Sequence, residues 1–188
     1  SPPEEVIASM AEPKQHSPSL LQVIGITLPI ILGMVFLVIS MNTGDILWFY
    51  PVFDEVPIAM LVHCYGDEVE INPGDPAFEP VSTAVNQVIS GTKRWDELSL
   101  SDDTYQEYQT NDQMVILELF FDPPVRIHSS YKFMKSIDNI IIPLVGRHAQ
   151  YNTLFGRMRD YTAAGSFHFK SMTPIAAAIQ AQNLCQLP

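Results

Sequence analysis

The sequence predicts a single transmembrane α-helix followed by one α+β domain with a mainly antiparallel sheet and two helices. Three observations lead to this prediction. Residues 20–41 form an apolar run without a charged side chain. The 147 residues that follow are enough to form one domain with its own core. Most strand-like segments in that region are joined by short connections, which favour antiparallel pairing.

Four regions follow from composition. Residues 1–19 are rich in proline and serine, which is typical of a flexible N-terminal tail. The transmembrane helix is predicted over residues 20–41, and an interfacial linker over residues 42–57. Residues 58–188 then form the α+β domain.

The apolar run has the length of a membrane-spanning helix. Its 22 residues would rise about 33 Å, which matches the hydrocarbon thickness of a bilayer. A secretory signal has a shorter apolar stretch and a small-residue cleavage pattern, which VISMNTGD at residues 38–45 lacks. Trp48, Phe49 and Tyr50 follow where an aromatic belt would lie at the interface. The prediction is a retained single-pass anchor.

The orientation is predicted from basic residues near the run. Lys14 precedes it, whereas the next lysine or arginine after it is Lys93. The positive-inside rule then places the N-terminus in the cytoplasm and the C-terminal domain in the periplasm or another extracytoplasmic space.

The small and polar residues of the run share one side of the helix. At 100° per residue they fall within an arc of about 80°. Membrane helices associate through close backbone approach at small residues and through polar contacts, so this stripe predicts a helix-packing face. The alternative is chance alignment. The predicted face consists of Gln22, Gly25, Pro29, Gly33, Phe36 and Ser40.

Periodicity and turn residues predict the elements of the domain. A helix between residues 75 and 91 has apolar residues at helical spacing, Pro80 in its first turn and Gly91 at its end. A second helix is predicted at residues 173–184, and residues 92–112 are predicted to be mostly loop. The predicted strands cover residues 58–65, 67–71, 114–121, 125–133, 137–146, 153–161 and 166–171.

The two cysteines, Cys64 and Cys185, are a candidate disulfide if the domain faces an oxidising compartment. Two separate free thiols are the alternative. His63 and Cys64 are neighbours in a predicted strand, so their side chains should point to opposite faces and cannot act together as base and nucleophile.

Basic and aromatic residues are densest between residues 146 and 160. Arg147, His148, Arg157 and Arg159 are a candidate partner surface for a phosphate, a lipid head group or an acidic protein. The alternative is an ordinary solvated strand face.

Charge and missing motifs exclude several function classes. The net charge of −11 argues against a nucleic-acid partner. There is no P-loop, GxGxxG, GxSxG or HExxH motif, so the chain is predicted not to be an enzyme, with no cofactor and no metal. A metal held by His128 and His168 would require their strands to be neighbours.

The function predicted from these patterns is a non-catalytic accessory or structural subunit of a larger membrane protein complex. A respiratory or photosynthetic electron-transfer complex is the expected host. Predicted partners are other transmembrane subunits, the lipid bilayer and a cationic soluble electron carrier. The carrier is predicted because residues 42–122 hold 16 acidic and two basic side chains. The alternative is a membrane-tethered extracytoplasmic binding or sensing domain.

Overall fold

The computed structural model describes residues 19–159 and 163–188, so nearly all of the predicted tail lies outside the described residues. The chain divides into two compact units, one up to Val38 and the other from Ile39 onward.

The first helix, α1, spans Leu20–Thr43 and contains Pro29. It begins with a capping box. The Ser19 hydroxyl accepts a hydrogen bond from the Gln22 backbone N–H at 3.3 Å, and the Gln22 side-chain carbonyl accepts one from Ser19 at 3.0 Å. The helix is long and apolar enough to cross a membrane, although a signal sequence near an N-terminus has the same features.

The second unit contains one seven-stranded antiparallel sheet and three further helices. The helices after α1 are α2 Phe78–Ile89, α3 Asp102–Thr110 and α4 Thr173–Ala181, with a short 3₁₀ helix at Ala149–Tyr151. The strands are β1 Ala59–Cys64, β2 Asp67–Ile71, β3 Lys93–Asp96, β4 Val115–Val125, β5 Ile137–Val145, β6 Thr153–Arg157 and β7 Ala163–Phe169. Their order across the sheet is β2-β1-β4-β5-β6-β7-β3.

The larger core lies between one face of the sheet and helices α2 and α4. Alternate residues of the strands point into it, among them Val62, Leu117 and Ile140, all fully buried. The buried residues of α2 recur at helical spacing and complete this core. The opposite face carries a smaller apolar cluster under α3, which includes Tyr108 and Phe155.

The predicted fold class is confirmed, with one helix more than expected. Helix α3 forms within the stretch that was predicted to be loop. Its N-terminus is stabilised by Ser101, whose hydroxyl accepts from the Thr104 N–H at 3.2 Å, and by acidic residues in the first turn. Only Thr104 and Tyr108 of α3 are buried, so its sequence carries little apolar periodicity.

The predicted strand at residues 125–133 is wrong. Strand β4 continues to Val125, and residues 126–136 cross to β5 without forming a strand. Just after the predicted range, Met134 and Ser136 have positive φ angles of 60° and 50°, so the chain turns before β5 begins. The partner that returns beside β4 is therefore β5.

Cys64 and Cys185 form a disulfide with a Cα–Cα distance of 5.7 Å. Cys64 ends β1 on the face of the larger core, and Cys185 follows α4. The bond connects positions 121 residues apart, so it closes a loop that contains most of the sheet.

Replacing both cysteines, Cys64→Ser with Cys185→Ser, should lower the free energy of unfolding by about 2–5 kcal/mol, because the unfolded chain regains the freedom of a long loop. Urea unfolding in micelles, followed by tryptophan fluorescence, measures the change. A reducing agent should shift the original chain in the same way and leave the double variant unaffected. An equal unfolding midpoint for the two proteins would contradict the prediction.

Candidate functional site

The glycines of the predicted helix-packing face are open on the described chain. A Cβ atom built on Gly25 or Gly33 would meet no atom within 4 Å. Gln22 has a different role within the chain, since its side-chain carbonyl belongs to the N-terminal cap. At the other end of the stripe, the Ser40 hydroxyl oxygen is buried without a hydrogen-bond partner among the described residues.

The four residues of the predicted partner surface all contact other residues of the chain. Arg147 pairs with Glu107 at 3.0 Å, and Arg159 lies 3.3 Å from Asp122 and 3.5 Å from Asp138. The structure therefore neutralises much of this basic surface within the domain.

Arg157 is buried rather than displayed, with only 4% of the residue exposed. Its guanidinium group lies 3.8 Å from the centre of the Tyr105 ring and 3.1 Å from an Asp102 carboxylate oxygen. Both contacts come from α3, so Arg157 holds this helix on the sheet. A partner could reach Arg157 only if α3 moved away.

A buried carboxylate lies under the same helix. Glu118 is 1% exposed and accepts hydrogen bonds from the Tyr105 hydroxyl at 3.3 Å and the Asn139 amide at 3.1 Å. The Gln109 side-chain amide donates a further bond. These donors offset the cost of removing the carboxylate from water and connect α3 to strands β4 and β5.

His63 extends the polar network to β1. Its ring nitrogens lie 3.4 Å from Glu68 and 3.5 Å from Glu118, without hydrogen-bond geometry to either carboxylate. Cys64 points to the opposite face of β1, so the two neighbours are separated as the strand pattern predicts. The arrangement provides no thiol–imidazole pair.

His148 contacts the buried Tyr108 at the far side of α3. The Tyr108 hydroxyl and the His148 Nδ1 atom share a short hydrogen bond. Burial lowers the pKa of His148, and the nearby Arg147 guanidinium lowers it further. Burial also raises the pKa of Tyr108, so the tyrosine keeps its proton and can donate it to a neutral imidazole.

A second polar cluster forms where α1 ends. Gly44 has a φ of +62° and follows the last helical residue, and the Asp45 N–H bonds the Ser40 carbonyl at 3.2 Å, as in a Schellman motif. Arg126 donates to the Gly44 carbonyl at 2.9 Å, and His128 lies 2.9 Å from an Asp45 carboxylate oxygen. Asp45 itself is only 7% exposed.

This helix-end cluster fixes the last turn of α1 to the chain between β4 and β5. A positive guanidinium near the last carbonyls also complements the negative end of the helix dipole. Sequence reasoning missed Asp45 and Arg126. The sequence signal that could have identified Asp45 is its position directly after Gly44, the glycine that ends the apolar helix.

A cavity of about 250 Å³ lies beside this cluster. Several aromatic residues form part of its wall, among them Trp48, Tyr50 and Tyr131. Lys93 also lines it, but its ammonium group already donates to the Ile89 carbonyl at 2.9 Å, and burial lowers its pKa. The lysine is therefore better placed to cap α2 than to bind an anion.

The two histidines considered for a metal have separate surroundings. His128 bonds Asp45, whereas His168 lies on β7 directly opposite Arg94 of β3. Among residues 19–159 and 163–188, no group of three or more His, Cys, Asp or Glu side chains has a metal-binding arrangement. Comparison with known protein families, with curated proteins and with solved structures gave no match.

Asp45→Asn should lower the free energy of unfolding by about 1–3 kcal/mol, because it leaves the partly buried Arg126 and His128 without a charged acceptor. In the original chain the Leu47 N–H donates to an Asp45 carboxylate oxygen at 2.9 Å. The asparagine carbonyl can accept the same bond, so the substitution removes only the negative charge. Hydrogen exchange should also speed up at residues 43–47. Asp54→Asn, at an exposed carboxylate, is the matched control and should change neither quantity. Equal effects of the two variants would refute the role of Asp45.

The lowered pKa of His148 predicts a pH dependence. The unfolded chain binds a proton near pH 6.5, at the ordinary histidine pKa, whereas the folded chain does so only at lower pH. The stability contributed by the neutral imidazole is complete above about pH 6.5 and is lost as the pH falls through the folded pKa.

Urea unfolding between about pH 7.5 and 5 measures this effect. His148→Gln should reduce the loss of stability on acidification, and His168→Gln, at a half-buried histidine on β7, is the matched histidine replacement for comparison. A slope in His148→Gln equal to that of the original chain would overturn the assignment.

Proposed function

We propose that this chain is a non-catalytic accessory subunit of a larger membrane complex, anchored by α1 and packed through its small-residue face. The observation that carries the proposal is the open space around Gly25 and Gly33. Glycine within a helix costs about 1 kcal/mol relative to alanine. The described chain makes no contact that would require either glycine.

In a membrane, glycine lets the backbone of a second helix approach closely, and the resulting packing offsets this cost. Pro29 adds a polar reason for a partner. It has no backbone N–H, so the Gly25 carbonyl one turn earlier lacks its usual helical donor. A donor from a neighbouring transmembrane helix could satisfy that carbonyl, which has no side chain of its own to shield it.

The disulfide supports an extracytoplasmic domain. Disulfides persist mainly in oxidising compartments, and the Cys64–Cys185 bond lies in the unit that follows α1. Lys14 on the other side of the apolar run supports the same orientation through the positive-inside rule. The N-terminus would then be cytoplasmic.

A respiratory or photosynthetic electron-transfer complex is the proposed host. The support is electrostatic: the edge strand β2 displays Asp67, Glu68 and Glu70, and α3 displays Asp102 and Asp103. Such acidic surfaces attract a cationic soluble electron carrier and raise its association rate at low salt.

A tethered binding or sensing domain is the second candidate. The cavity beside the helix-end cluster favours it, because His128 lines that cavity and also bonds Asp45 directly after α1. A ligand that displaced His128 would alter the last turn of the helix.

Gly33→Ile should reduce co-purification of the partner subunits at least about tenfold after mild detergent extraction, because a few kcal/mol of helix packing is lost. The domain should keep its unfolding midpoint, since a Cβ atom at position 33 has no contact within 4 Å beyond its own helix in the described chain. Quantitative mass spectrometry of the purified assembly provides the measurement.

Val38→Phe is the control, since it adds bulk to the opposite side of α1 and should leave co-purification unchanged. Recovery of the original chain as a monodisperse monomer at natural abundance would end the subunit proposal. If Gly33→Ile co-purified the partner subunits in unchanged amounts, the small residues on one side of α1 would be aligned by chance.

A further inference from the structure

Large apolar and aromatic side chains remain exposed in the segment directly after α1. Ile46, Leu47, Phe49 and Tyr50 belong to this segment, and Tyr131 and Phe133 belong to the loop between β4 and β5. We name these six residues the interfacial platform. Their exposed fractions range from 40% to 70%, in contrast to the buried apolar residues of the two cores.

The two parts of the platform come together although about 80 residues separate them. Phe49, Tyr50 and Tyr131 line the same cavity, and the Tyr50 ring lies 6.4 Å from the ring of His128. The loop is held in place by Trp95, whose ring stacks on Phe133 with centroids 4.4 Å apart. The platform is therefore a defined surface of the domain.

Basic residues border the platform. Lys132 and Lys135 belong to the same loop, and the Lys132 ammonium group lies 5.3 Å from the centre of the Phe133 ring. Among the described residues, no ion pair joins either lysine to a carboxylate. The Lys135 ammonium group lies 3.1 Å from the position that a Cβ of Gly44 would occupy. Asp45, directly before Ile46, lies 2.9 Å from His128 and 4.0 Å from Arg126, and Asp138, three residues after Lys135, lies 3.5 Å from Arg159. The border is therefore positive in a chain whose net charge is −11.

We propose that the interfacial platform lies in the headgroup region of the bilayer and binds anionic lipids, which gives the domain a second membrane contact besides α1. This inference rests on the proposed anchoring by α1. Ile46 comes only three residues after the end of α1 at Thr43, which limits their separation to about 11 Å. Chain connectivity thus keeps the platform close to the membrane surface if α1 spans the bilayer.

The composition of the platform fits a lipid surface better than a protein partner. Tyrosine and lysine each combine an apolar body with a polar end, and phenylalanine and leucine add purely apolar surface, which together is a mixture suited to a membrane–water interface. Each lysine near an anionic surface strengthens binding about fivefold. The six apolar residues enter the headgroup region while Lys132 and Lys135 bind the lipid phosphates.

Photocrosslinking in native membranes tests the inference on the full chain. Phe133→azidophenylalanine and Tyr131→azidophenylalanine place a reactive group on the platform with little change in shape. Tyr65→azidophenylalanine is the matched control, since Tyr65 is an aromatic of similar exposure, 38%, at the turn to the other edge strand, β2. Mass spectrometry identifies the adducts.

Phospholipid adducts at positions 131 and 133, at several times the yield at position 65, are expected. Adducts with another protein, or a yield equal to that of Tyr65, would overturn the inference. Val38→azidophenylalanine tests the anchor separately. If position 38 gives no lipid adducts, the anchoring by α1 has failed. Lipid adducts at position 38 without any at positions 131 and 133 would reject lipid contact by the platform and leave the anchoring by α1 intact.

The charge component has its own test. The full chain is reconstituted in nanodiscs of phosphatidylcholine with or without phosphatidylglycerol, and lipid adducts at position 133 are counted. Anionic lipid should increase the yield about fivefold per lysine. Lys132→Gln with Lys135→Gln should remove that increase, whereas Arg147→Gln, at an arginine already paired with Glu107, should retain it. An increase that survives loss of both lysines would refute anionic-lipid binding.

Discussion

The pairing of β4 with β5 at the centre of the sheet is the constraint on which the domain depends. Both faces of this pair are covered, so Ile116, Leu117, Ile140 and Ile141 are all fully buried. A charged side chain buried there needs hydrogen-bond donors to offset its loss of hydration, and Glu118 accepts bonds from α3 and β5. Helix α3 is thus held on the sheet by its bonds to Glu118, by the contacts of Arg157 with Tyr105 and Asp102, and by a modest apolar contact.

Patterns set by burial were predictable from the sequence, whereas features set by polar contacts were not. The apolar run of β1 and the helical spacing in α2 predicted those elements, and the short connections predicted the antiparallel class. Helix α3 has little apolar signal, because Ser101 and the acids of its first turn stabilise it, so it was read as loop. The β4–β5 loop looked like a strand from residues 125 to 133, but Arg126 and His128 contact the helix end instead. Two residues with positive φ then turn the chain just after this range.

The same distinction applies to the candidate site. A local density of arginines suggested a surface at residues 147–159, but three-dimensional contacts with α3 and with carboxylates of other strands occupy those side chains. Asp45 and Arg126 are 81 positions apart, and no local pattern connects them. The glycines on α1 differ from both cases, since a Cβ atom on Gly25 or Gly33 would meet no other part of the described chain within 4 Å.

The disulfide has a topological consequence for damage to the domain. Cys64 lies 21 residues after the end of α1, and Cys185 lies three residues before the last residue of the sequence. A protease that cuts any loop between these two cysteines leaves the downstream fragment covalently joined to the helix. A chain nicked once would then keep all its strands together and stay covalently joined to α1, so a single cleavage would not separate the domain from that helix.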